Sequence, residues 1–149
     1  MKSRKRNRVR PRLAVEMLEA RTMLDGNVLA VLDAAGNLRI TGDRANNCVL
    51  MDQPAFSPAG TLAVTGAEAG GPCAAGTSIN GVPLGTSTFS GVTGSVTVLG
   101  AAGDDLLTVA SLAPTSFLKD LAIDMGTGLI DAADLDPRSL GMSDRKSVV

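Results

Sequence analysis

The sequence predicts a mainly β protein: a short-stranded β-repeat body, solenoid-like or sandwich-like, behind one N-terminal amphipathic helix. Three observations carry this expectation. From residue 28 onward, short alternating apolar segments are separated by turns rich in Gly, Asn and Asp. The only aromatic residues are Phe56, Phe89 and Phe117, so any core must be built from Val, Leu, Ile, Ala and Met. A strand–turn–strand unit also recurs along the chain, the mark of a repeat architecture.

The first twelve residues, "MKSRKRNRVRPR", hold seven of the 14 Lys and Arg residues and no acid. The rest of the chain carries seven basic against 15 acidic residues, a formal balance of −8. A basic arm, 1–12, expected to be disordered, is thus attached to an acidic body. Such an arm can neutralise phosphates. Nothing after it supplies stacking aromatics or a recognition helix, so nucleic acid is not an expected partner.

Residues 13–25 predict the helix. Leu13, Met17, Ala20 and Leu24 recur at helical spacing beside Leu18, and Gly26-Asn27 supplies a stop. Glu16, Glu19 and Arg21 interrupt the apolar stripe, so the segment fails as the h-region of a cleaved secretory signal.

The β-repeat body is expected over 27–136. Val28, Ala30 and Leu32 share one face before "DAAGN", and Leu38 and Ile40 follow it, which reads as a hairpin with Gly36-Asn37 suited to positive φ. Further strands are expected at 48–52, 61–65, 77–80, 95–99, 106–110 and 120–124. The longest uncharged run, 69–103, contains nine glycines and two prolines, so it reads as turns and strands and no transmembrane helix is expected. Residues 137–149 lose the alternation and are expected to be disordered.

The repeat appears when "NLRITGDRANNCVLM" (37–51) is laid on "SVTVLGAAGDDLLTV" (95–109). Leu38 then falls on Val96, Ile40 on Val98, Gly42 on Gly100, Asn46-Asn47 on Asp104-Asp105, and Val49 on Leu107. A weaker third unit, "DLAIDMGTGLIDAADL" (120–135), lies 25 residues after the second, with Gly128 on Gly103. Offsets of 58 and 25 residues share no period, which predicts a few units stacking through their apolar faces rather than a strictly periodic solenoid.

Within "RPRLAVEMLEARTMLDGNV", the segment "LEARTML" (18–24) resembles the Leu-Glu-Pro-Arg-x-Leu-Leu segment near the N-terminus of many bacterial exported proteins, especially of planctomycete type. Leu18, Glu19, Arg21 and Leu24 match, while Ala20 stands for the usual proline and Met23 for a leucine. In that family the segment follows a basic stretch, precedes β-repeat regions and is thought of as an export or surface-sorting signal. The resemblance implies an extracellular or cell-surface address, cell-envelope or surface components as partners, and no particular enzyme activity.

The absence of histidine excludes a Ser-His-Asp triad, a Cys-His pair and His-ligated zinc. Gly126-Thr127-Gly128 is a lone Gly-x-Gly with no following helix, and Asp131, Asp134 and Asp136 do not meet the EF-hand pattern. No cofactor and no catalysis are expected. Cys48 and Cys73, 25 residues apart, read as a disulfide if the chain is exported, or as two buried thiols if it is not.

Calcium is the alternative. Residues 100–108, "GAAGDDLLT", resemble the repeats-in-toxin nonapeptide G-G-x-G-x-D-x-(apolar)-x through Gly100, Gly103, Asp105 and Leu107, with Ala101 replacing the second glycine. Asp104 and Asp105 are the candidate ligands. Those sites form between tandem nonapeptides, and no neighbouring copy carries the acids, so turn-stabilising aspartates are the favoured reading. The function expected is a non-catalytic structural or adhesion-type β-repeat protein, a piece of a longer architecture, prone to self-association through edge strands. A calcium-dependent adhesive module is the alternative.

Overall fold

The computed structural model describes residues 26–67, 73, 76–110 and 119–129, and the backbone of 132–135. The basic arm, the expected helix with Leu18, Glu19, Arg21 and Leu24, and the tail 137–149 lie outside the described residues.

Among the described residues, alternation of apolar and polar residues becomes eleven strands: β1 (Gly26–Leu32), β2 (Leu38–Thr41), β3 (Cys48–Asp52), β4 (Thr61–Gly66), β5 (Thr77–Ile79), β6 (Val82–Pro83), β7 (Thr86–Ser90), β8 (Val96–Leu99), β9 (Leu106–Ala110), β10 (Leu121–Asp124) and β11 (Ala132–Leu135). They form two mixed sheets, in the orders β10-β8-β2-β1-β5-β6 and β11-β9-β3-β4-β7. No helix among the described residues is long and apolar enough to cross a membrane.

The repeat units are stacked in space. Strands β2, β8 and β10 pair in parallel, with Leu38 beside Val96 and Val96 beside Leu121, then Ile40 beside Val98 and Val98 beside Ile123. On the second sheet β3, β9 and β11 do the same, with Val49 beside Leu107. Because strand side chains alternate between faces, matching apolar positions in successive units all turn inward. Leu38, Ile40, Val49, Met51, Val96, Val98, Leu107, Val109 and Ile123 are buried in one core with Val28, Leu62, Val64 and Ile79. Phe89 packs only partly against it, so the buried core of the described residues is aliphatic.

The unequal offsets have a topological cause. Between β3 and β8 the chain leaves the stack to form β4, antiparallel to β3, then β5 beside β1, β6 beside β5, and β7 beside β4. Between β8 and β10 the described residues form only β9. The 25-residue offset holds from Val96–Leu121 to the bridge between Ala102 and Thr127, but Leu106 pairs with Ala132, one residue later. The third turn therefore carries one more residue than a constant offset allows.

Local chemistry closes the first hairpin. Asp33 Oδ1 accepts from the N–H groups of Ala35 (2.9 Å) and Asn37 (2.8 Å), and Oδ2 accepts from Asn37 Nδ2 (2.9 Å). These bonds, the Asn37 side chain's first, hold the Asp33 carboxyl below its ordinary value. Gly36 supplies the positive φ of +82°. Strand β1 begins at Gly26, where a helix stop was expected, and β5 ends at Ile79, one residue short of expectation. Asn80 instead turns the chain, and its side-chain amide continues the ladder on β1: Oδ1 accepts from Ala30 N–H (2.8 Å) and Nδ2 donates to Ala30 C=O (3.1 Å).

Candidate functional site

The stacked turns that follow β2, β8 and β10 contain the residues the sequence singles out for chemistry. Gly42 N–H donates to Leu99 C=O (2.8 Å) and Gly100 N–H to Asp124 C=O (2.7 Å), so the parallel ladder runs past the strands into the turns. Side chains at Gly42 and Gly100 would have no room. A Cβ at Gly42 would strike Gly100 C=O, and one at Gly100 would strike Met125 C=O and Asp105 Oδ2.

Asp105 is 1% exposed and Asn47 3%, although both are polar. Asp105 Oδ1 accepts from Asn47 N–H (2.8 Å) and from Asn47 Nδ2 (3.0 Å). The Asn47 amide also donates to Ala45 C=O (2.7 Å) and Asp43 C=O (3.3 Å). The second unit's aspartate thus reaches back to organise the first unit's turn. A buried carboxyl group is tolerated where hydrogen bonds of this kind replace water.

Asp104 works in the other direction. Asn46 Oδ1 accepts from Asp104 N–H (2.9 Å), and Asp104 Oδ1 accepts from Leu129 N–H (2.8 Å). The three residues stand at one equivalent position in three successive turns, each side-chain oxygen receiving the next turn's N–H. The series ends at Leu129, whose side chain offers no acceptor and is 96% exposed. Asn37 makes the same link at the other end of the unit, accepting from Ser95 N–H (2.9 Å).

The two candidate calcium ligands are therefore neighbours in sequence that serve opposite turns. Asp105 binds backward to the first unit and Asp104 forward to the third. Among the described residues no group of three or more acidic or cysteine side chains is placed to hold a metal ion. Asp134 lies on β11, whereas Asp131 and Asp136 fall outside the described residues. A cavity of about 20 Å³ beside the turn is bounded by Val28, Ile40, Val98, Leu107 and Met125 with Asn47 and Asp105. That space fits one water and no substrate-sized molecule.

Ala101, which occupies the nonapeptide's second glycine position, has φ +89°, and Gly103 has φ +107°. The turn keeps a glycine-type backbone where the sequence has alanine. Cys48 and Cys73 form a disulfide with Cα atoms 5.9 Å apart, both essentially buried, tying the start of β3 to the segment between β4 and β5. Cys48 N–H also donates to the buried Thr77 Oγ1 (2.8 Å).

Sequence reasoning paired Asn46-Asn47 with Asp104-Asp105 by alignment, but it missed that these pairs bond to each other. The legible signal was Asn or Asp recurring at one turn position in successive units. Comparison with protein-family models, with curated proteins and with solved structures gives no match.

Proposed function

We propose that the chain is a non-catalytic structural or adhesion-type protein of the cell surface or extracellular space, built as a short solenoid-like stack. The observation that carries this reading is the use made of its polar turn residues. Asn37, Asn46, Asn47, Asp104 and Asp105 all bond to backbone or side chains of a neighbouring unit. Groups committed in this way hold a scaffold together.

The address is supported by two further features. A disulfide persists in oxidising compartments and is rare where glutathione keeps thiols reduced. The "LEARTML" segment resembles an export signal and precedes the β body in the order typical of surface proteins. Envelope or surface components are the partners this reading implies.

Fractionation of native cells with N-terminal sequencing and thiol labelling tests it. The expected result is a chain in the envelope or extracellular fraction with Cys48 and Cys73 resistant to alkylation. A cytosolic, unprocessed chain with both thiols reactive overturns the reading.

A further inference from the structure

Among the described residues, each sheet ends in strands whose outer backbone groups have no strand beside them, and proteins normally blunt such edges. The four edges are β6, β7, β10 and β11. Strand β6 is two residues long and contains Pro83. Strand β10 follows Lys119 and Asp120 and ends in the exposed Asp124. Strand β11 carries Asp134 at its third position. Brevity, proline or charge thus marks three of the four.

Strand β7 has none of these. It is five residues long, "TSTFS", and the stretch 82–94 around it contains no charged residue. Among the described residues it pairs only with β4. Thr86, Thr88 and Ser90 are exposed on one face, while Ser87 and Phe89 are half-buried on the other. On the paired side, the Thr86 and Thr65 hydroxyls already bond across the strands at 2.9 Å.

The strand is also complementary to itself. In antiparallel pairing about a two-fold axis at Thr88, Thr86 faces Ser90, Thr88 faces Thr88, and Ser87 faces Phe89. Hydroxyls meet hydroxyls on the outer face, a favourable cross-strand combination, and no like charges are opposed. The same operation on β10 would crowd Asp120 and Asp124 of both copies into one short seam.

We infer that the protein dimerises through antiparallel pairing of β7 with β7 of a second copy, which doubles the five-stranded sheet. The inference rests on this edge and does not depend on the cellular address. Its test is the full chain carrying Thr88→Cys. The native cysteines are bonded to each other, so the new thiol is the one available for coupling. Directly opposed residues of an antiparallel pair have Cα atoms about 4.5–5.5 Å apart, within reach of a disulfide.

Mild oxidation should convert Thr88→Cys to a covalent dimer, while Ala122→Cys on the exposed face of β10 stays monomeric. Thr88→Lys should weaken wild-type dimerisation at least about tenfold in sedimentation by opposing two cations, with an unchanged circular dichroism spectrum. A wild type that sediments as a monomer at every concentration overturns the inference. So does cross-linking of Ala122→Cys as readily as Thr88→Cys.

Discussion

Asp105 and Asn47, separated by 58 residues, form a buried two-point contact in which one carboxylate oxygen accepts both the backbone N–H and the side-chain amide of the asparagine. This contact joins the first and second units at the turn, immediately before β3 and β9 begin to pair. It also explains how a carboxylate comes to lie beside an aliphatic core.

Removing that acceptor should be costly. Asp105→Ala leaves the buried Asn47 N–H without its acceptor and takes one of several acceptors from the Asn47 side-chain amide, and a loss of about 1–3 kcal/mol is expected in urea denaturation. Asp105→Asn keeps one acceptor oxygen and should lose less. Equal losses for the two variants would show that shape rather than hydrogen bonding holds the turn.

The left-handed backbone of the same turn predicts changes of opposite sign. Ala101→Gly removes a Cβ from a residue at φ +89° and should stabilise the fold by up to about 1 kcal/mol, the relief being partly offset by unfolded-state entropy. Gly103→Ala adds a Cβ at φ +107° that would strike Ala45 C=O and should cost more than about 2 kcal/mol. Thermal denaturation of the pair reads both signs.

Opening the disulfide should destabilise the body. Closing a loop of 25 residues restricts the unfolded chain, and losing that restriction costs about 3 kcal/mol. The double variant Cys48→Ala with Cys73→Ala should show this loss in denaturant titration, and added reductant should leave that variant unaffected while weakening the wild type.

Acid should act on the first hairpin through Asp33. Its carboxyl is held below the ordinary value of 3.8 chiefly by the Asn37 side chain, then by backbone N–H groups of the turn. A folded pKa lower than the unfolded one contributes stability that is present above the unfolded value and is lost as pH falls through the folded one. Asp33→Asn should therefore flatten the fall in stability below about pH 4, where the unfolded carboxyl begins to protonate. A fall as steep as the wild type's would assign that acid sensitivity elsewhere.

Calcium should leave the fold unmoved. Asp104 and Asp105 already accept backbone or amide hydrogens on opposite sides of the turn, and a hard cation needs six to eight converging oxygens. A rise in melting temperature at millimolar calcium, abolished by Asp104→Ala, would revive the adhesive-module alternative.

Strand positions were legible because period-2 alternation is a local property. Residues 48–52 and 106–110 match β3 and β9, and the alignment of Leu38 with Val96, Ile40 with Val98 and Val49 with Leu107 is the observed parallel register. Register follows from pattern here because a one-residue slip would turn the apolar set outward. Strand β7 was missed because its edge position leaves "TSTFS" with a single apolar residue. Strand β11 was missed because "DAADLDP" reads first as an acidic cluster.

The sequence alone thus determined which residues turn inward and which units stack, since burial of aliphatic surface is written residue by residue into the alternation. Only the tertiary structure decided which groups meet across the units. The excursion through β4–β7 returns β8 beside β2, and that return seats Asp105 on Asn47 and Asp104 on Asn46. Hydrogen bonds between residues 58 apart depend on where the chain comes back, which no local pattern encodes.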